Sequence, residues 1–201
     1  PLTSDEDIAD YMKKHDDALL WAESNRKLCA EKTGSLLKAD IHKIFDVPHN
    51  FIERSGNNFL HRKGSSASDR GLVMIPGSRG DYSVLVRPLE SDDALFSIAH
   101  GAGRKITRTD AKYKINPQKN KMGNRVICGD RNLILEEDPS CYKSVNTVIQ
   151  DLEDFGLIEV IAWFKPVVTY KTATKDNRKE KVKQRDIERK QARKDKWDRR
   201  F

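Results

Sequence analysis

The chain has 201 residues, 37% of them hydrophobic and 34% charged, with a formal net charge of +7. That length suits one body with a core of its own. No apolar run reaches the roughly 20 residues of a membrane helix, which excludes a helical membrane protein. Three cysteines, Cys29, Cys128 and Cys141, lack C-x-x-C spacing. This argues against a zinc module or a disulfide framework and for a reducing, cytoplasmic setting.

The chain opens at Pro1 with "PLTSDED" and no apolar leader, as expected of one piece of a longer precursor or of a split protein. Ser4 then precedes three acidic residues and an apolar stripe at Ile8, Met12, Leu19, Ala22 and Leu28. That pattern predicts a capped amphipathic helix that packs on the core. "GSLLKADIHKIFDV" predicts a turn, a short helix and a strand entering Pro48, with His49 and Asn50 at its end.

Between residues 55 and 90, "SGNN", "FLHRKGSS", "GLVMIPGSRG" and "YSVLVRP" alternate β-type runs with glycine turns, a hairpin or meander pattern. A second helix is expected from Asp138 as cap and Pro139 at the first position, through Tyr142, Val145, Val148, Ile149, Leu152 and Phe155, to Gly156. Strands "LIEVIAWF" and "VVTYK" follow. The fold class expected is mixed α/β, short-stranded sheets flanked by helices.

The charge is localised. Residues 172–201 hold 13 Lys/Arg against 6 Asp/Glu, which leaves 25 of each sign in residues 1–171. A neutral body thus carries a basic tail, a solvated helix or a disordered arm that would gain affinity for phosphate backbones by counterion release.

Of five histidines, His15 and His42 fit surface or packing positions, whereas His49, His61 and His100 occupy "DVPHN", "LHRKGSS" and "AHGAGR", strand ends running into polar or glycine-rich residues. The glycines after His100 let backbone approach a ligand and aim N–H groups at an anion. Arg104, Lys105 and Arg108 follow with donors suited to phosphate. A neutral imidazole in such a place can attack phosphorus. "IPGSRGDYS" adds a second glycine turn with Ser78, Arg79 and Ser83, and is neither a P-loop nor a Rossmann fingerprint.

Taken in order, "DVPHN", "HRKGS", "IPGSRG", "AHGAGR", "EEDPSCYK" and "KPVVTYK" resemble the C-terminal half of the RtcB family of RNA ligases, from about residue 42 to residue 171. "PGSRG", "AHGAGRK" and an ending at "TYK" look most like the branch that accompanies the release-factor homologue PrfH. The resemblance implies residues 1–171 as the C-terminal portion of the catalytic domain and residues 172–201 as an added tail. It implies a ligase that joins RNA 3′-phosphate or 2′,3′-cyclic phosphate ends to 5′-hydroxyl ends, in repair or tRNA splicing, with GTP and Mn²⁺.

By the same resemblance His100 takes GMP covalently and passes it to the RNA 3′-phosphate. His49 is a metal ligand. Asn50, Pro76, Gly77, Ser78, Arg79, Ser83, Gly101, Ala102, Gly103, Tyr142 and Lys171 hold the guanylate, and Arg62 and Lys63 are candidates for RNA phosphate. The family's cysteine and two further histidine ligands have no counterpart here, so a second chain or segment carrying the N-terminal half is an expected partner, alongside RNA and a PrfH-like factor or the ribosome. The alternatives are a non-catalytic RNA- or ribosome-binding scaffold and a nucleotide hydrolase without an RNA substrate.

Overall fold

The computed structural model of the chain describes residues 4–115 and 123–171. The basic tail therefore lies outside the described residues. The elements, in chain order, are α1 (Asp5–Leu37), β1 (Asn50–Ser55), β2 (Asn58–Lys63), β3 (Ser65–Ala67), β4 (Val73–Pro76), β5 (Ser83–Pro88), β6 (Ser97–Ala99), α2 (Arg108–Lys114), β7 (Arg125–Cys128), α3 (Arg131–Glu136), α4 (Val145–Asp154), β8 (Ile158–Phe164) and β9 (Val168–Lys171). The class is mixed α+β, as the sequence predicts.

Ser4 caps α1 by accepting from the Asp7 N–H at 3.1 Å, and Asp5, Glu6 and Asp7 meet the positive end of the helix dipole. The helix runs nine residues past Leu28, through Gly34, and stops where Lys38 turns left-handed at φ 52° and Ala39 N–H reaches Gly34 O at 2.9 Å. Gly34 is the helix's buried residue because Ile41 folds back over it, where a Cβ would meet Ile41 Cγ1 at 2.3 Å. The short helix and strand expected before Pro48 do not form; residues 39–48 run irregularly, without a neighbouring strand to pair with. Polar clasps hold this stretch instead: Arg26 to both Asp46 oxygens at 2.8 and 3.0 Å, and Lys43 to Glu23 at 2.6 Å.

β1 and β2 form a hairpin with Asn50 opposite Lys63, turned at Gly56 with φ 60°. β3 pairs antiparallel with β6. β4, β5 and β8 make a three-stranded antiparallel sheet, and β7 pairs parallel with β9. Burial alternates along β4 and β5, placing Val73, Ile75, Val84 and Val86 on one face. Val145, Ile149 and Leu152 of α4, at i, i+4 and i+7, pack on that face together with Ile98, Ala102 and Ile158. This is the core, and α1 contributes nothing to it.

The second expected helix is split in two. Asp138 caps only a 3₁₀ turn over Pro139–Cys141, Tyr142 goes extended, and α4 starts after Ser144. The cause is tertiary. Tyr142 bridges Arg104, and Lys143 N–H donates to Gly103 O at 3.0 Å, pairings a continuous helix would forbid. The strand expected before His100 forms as β6; elements α2, α3, β3 and β7 were not anticipated, and each has seven residues or fewer and no periodicity of its own to read.

Candidate active site

His100 follows β6 immediately and lies between Ile98 and Ala102, both 3% exposed in the core. Two buried neighbours thus fix the backbone while the imidazole stays half-buried. His49 lies in the irregular run just before β1 rather than at a strand end. Gly64 links the two segments. Its N–H donates to His49 O at 2.8 Å and lies 2.9 Å from Asn50 Oδ1, while its own carbonyl accepts from His100 N–H at 3.3 Å. Gly64 holds φ at 68°, a conformation that L side chains rarely adopt.

The result is a parallel stack of the His49 and His100 rings, centroids 3.6 Å apart and planes 4° from parallel. Burial, and then the neighbouring His49, push the His100 imidazole down to about 4. Burial, Arg26 and Lys63 lower His49 as well. Two stacked rings cannot both charge cheaply, so at neutral pH both are neutral and carry a lone pair.

The glycine loops close around this pair. Ala102 N–H donates to Pro76 O at 3.1 Å, and a Cβ on Gly101 would stand 3.2 Å from the same oxygen. A Cβ on Gly77 would stand 2.4 Å from Tyr82 O, so this turn closes only around glycine. "IPGSRG" and "AHGAG" are therefore one local structure.

A second cluster surrounds Glu137. It accepts from the Tyr142 hydroxyl and pairs with Lys171 Nζ at 3.4 Å; Arg104 donates to Tyr142 Oη at 2.8 Å and lies over its ring at 4.8 Å. Burial raises the Glu137 carboxyl, but Tyr142, Lys171 and Arg104 together outweigh it and hold the group below its ordinary value. Burial and the Glu137 bond push the Tyr142 hydroxyl up to about 12. Lys171 arrives on β9, whose parallel partner β7 leads into α3 and then Glu137.

The remaining residues divide. Arg79 donates to Glu137 O at 2.9 Å and pairs with Asp138 at 3.3 Å, so its guanidinium serves the fold. Ser78 Oγ accepts from Gly80 N–H at 3.3 Å, and Ser83 pairs with Pro76 in the sheet. Arg62 is not an RNA-phosphate donor: its side chain is 1% exposed and is taken up by Glu53, Ser97 Oγ and Phe96 O. Lys63 is exposed, and so are Lys105 and Arg108. His61 projects from the middle of β2 opposite Ile52. His15 instead clasps α1 to the hairpin, its Nε2 accepting from Ile52 N–H at 2.9 Å.

Residues 45–47, together with Ser66, Met74 and His100, line a cleft of about 180 Å³. Gly64, Glu137, Asp46 and Ser66 were not singled out from the sequence. All four stand inside quoted stretches, Asp46 in "DVPHN", Gly64 and Ser66 in "LHRKGSS" and Glu137 in "EEDPSCYK", beside residues with a plainer chemical signal. Among the described residues no group of three or more His, Cys, Asp and Glu side chains comes close enough to hold a metal ion. His49 and His100 would supply two imidazoles, short of the three protein donors that such sites normally need. Manganese does not fit these residues alone.

A sequence model described as tRNA-splicing ligase RtcB matches residues 1–172. The RNA-splicing ligase RtcB2 of Escherichia coli is 43% identical over 179 residues, 84% of this chain and 47% of that protein. The RNA-splicing ligase RtcB of Escherichia coli K12 is 29% identical over 180 residues, covering 81% and 43%. The tRNA-splicing ligase RtcB of Nanoarchaeum equitans is 26% identical, covering 82% and 43%. The chain spans less than half the length of these curated relatives.

Proposed function

The chain belongs to the RtcB family, and on that premise we propose that it is the nucleophile-bearing part of a GTP-dependent RNA ligase. The observation that carries the reading is the stacked pair: an imidazole kept deprotonated at neutral pH, its backbone pinned in the core, beside glycines that leave room for a phosphate. A lone pair on nitrogen is what attack on phosphorus requires.

In the first step His100 attacks the α-phosphorus of GTP; a P–N bond forms, the P–O bond to the β-phosphate breaks, and pyrophosphate leaves. The guanylyl group then passes to an RNA 3′-phosphate, freeing the imidazole. A 5′-hydroxyl attacks that activated phosphorus, its proton goes to solvent, and GMP departs. Asn50, Pro76, Gly77, Ser78 and the Gly101–Gly103 backbone border the phosphate, and the Tyr142–Glu137–Lys171 cluster offers a carboxylate, a hydroxyl and a cation to guanine.

His49 is one metal donor on this reading, and the others come from the part of the ligase this chain does not span. No step above is routed through the metal. Cytoplasmic placement, a PrfH-like partner and RNA contact by residues 172–201 belong to the same proposal.

The test is covalent labelling. With α-³²P-GTP and Mn²⁺, supplemented by the remaining half of the ligase, the chain is expected to acquire acid-labile label at His100, and His100→Ala to acquire none. Label of equal intensity on His100→Ala overturns the assignment.

A further inference from the structure

Three acids stand in a row in "EEDPSCYK", and each is committed differently. Glu136 pairs with Lys112 at 3.0 Å, an ion pair between α3 and α2. Asp138 is fully buried, accepts from Ser140 N–H at 3.0 Å and pairs with Arg79 at 3.3 Å, so its carboxylate belongs to the fold. Glu137 differs from both. Its backbone carbonyl takes Arg79, whereas its carboxylate, with the side chain 17% exposed, meets two side-chain tips: one oxygen accepts from the Tyr142 hydroxyl and the other faces Lys171 Nζ at 3.4 Å.

Both carboxylate oxygens are thus committed inside the cluster, and what the carboxylate brings to guanine is the placement of the other two groups. The Tyr142 hydroxyl donates to Glu137 and accepts from Arg104 Nη1 at 2.8 Å, which fixes its direction. Arg104 stands four positions after His100, so these bonds join the nucleophile's loop to the end of β9. A lysine carries three N–H donors on a flexible four-carbon stem; with one turned to Glu137, Lys171 keeps two for acceptors such as O6 and N7 of guanine. Without the carboxylate that stem must be ordered at the moment of binding, a cost that preorganisation removes.

We propose that Glu137 is a positioning residue for guanylyl transfer, holding Tyr142 and Lys171 in the arrangement that meets guanine before the nucleotide arrives. The inference rests on the ligase reading and adds to it a residue that touches neither the phosphate nor the nucleophile.

The rate at which α-³²P-GTP labels His100 is followed against GTP concentration, in the chain supplemented with the remaining half of the ligase. Glu137→Gln keeps the shape of the side chain and removes its charge. It is expected to raise the half-saturating GTP concentration about tenfold, the size of one hydrogen bond to a charged group, with the maximal rate nearly unchanged. Glu137 acts through its partners, so in a background of Tyr142→Phe with Lys171→Met the same change is expected to add nothing. The Tyr142 phenol gives a readout without nucleotide: by its ¹³Cζ resonance, assigned with Tyr142→Phe, it is expected to stay protonated up to about pH 11 in the wild type and to titrate lower in Glu137→Gln.

An unchanged half-saturation, a loss of maximal rate alone, additive losses in that background, or an unmoved Tyr142 titration overturns the positioning role. A loss larger for GTP than for ITP, which lacks the 2-amino group, also overturns it, by making Glu137 a reader of the base. Should Glu137→Gln lower the urea midpoint, Tyr142→Phe alone, which removes one hydroxyl, decides: half-saturation equal to the wild type's overturns the role. Wild-type chain that takes no label at His100 sinks the ligase reading together with this one, whereas labelling that Glu137→Gln leaves unaltered sinks this one alone.

Discussion

His100 is a basic residue that the fold keeps uncharged. Burial first, and the stacked His49 second, disfavour its proton in the folded chain, while the unfolded chain keeps the ordinary 6.5. The unfolded state therefore binds more protons between about pH 6.5 and 4, and stability falls as pH drops through that window. His49 is shifted the same way and adds to the slope. Urea midpoints measured between about pH 4.5 and 7.5 are expected to decline toward acid, and His100→Asn to flatten the decline. The imidazole is half-exposed, so solvent damps the effect. A His100→Asn slope as steep as the wild type's would show that the stack imposes no such penalty.

Elements contribute unequally, and magnitudes decide which matter. Helix α4 buries Val145, Ile149 and Leu152 in the cluster that also holds Val73, Ile75, Val84 and Val86 and, from β6, Ile98, two residues before His100. Ile149→Ala leaves a cavity in a close-packed core and is expected to cost about 2–5 kcal/mol. Helix α1, with 33 residues, is attached mainly by His15, Glu23 and Arg26 and adds no core residue. Arg26→Ala removes a partly exposed ion pair and is expected to cost less than about 1 kcal/mol. Chemical denaturation of the two variants checks the ranking; equal losses would mean that α1 holds the fold through more than polar clasps. The capped start of α1 was legible because Ser4 and its acidic turn act locally. Its docking was not, because the stripe at Ile8, Met12, Leu19 and Ala22 states only that some apolar cover exists.

Across the whole molecule, the stretch from β8 to β9 leaves Ile161, Trp163, Phe164, Val167, Val168 and Tyr170 exposed, with Ile127 paired opposite Tyr170. Tyr82 meets Trp163 edge to face at 5.9 Å. Large apolar side chains exposed in such number mark surface that another partner covers. The chain alone is expected to bind a hydrophobic dye and to elute larger than its 23.0 kDa, and Trp163→Lys with Tyr170→Lys to restore the monomer. A dye-free wild-type monomer by light scattering would contradict this. The face accords with a chain that spans under half of its relatives' length.

What the sequence alone determined was local: mixed α+β class, the cap at Ser4, the glycine punctuation, and six blocks specific enough to indicate the family. These are short-range properties, in which each residue acts on neighbours a few positions away. Only tertiary structure decided the stacking of His49 on His100 across 51 positions, the capture of Arg62 by Glu53, the break at Tyr142, and the Glu137 link to Lys171. Each depends on which segments meet in space, and backbone hydrogen bonds from Gly64 and Gly103 set those meetings without any pattern in the one-dimensional text.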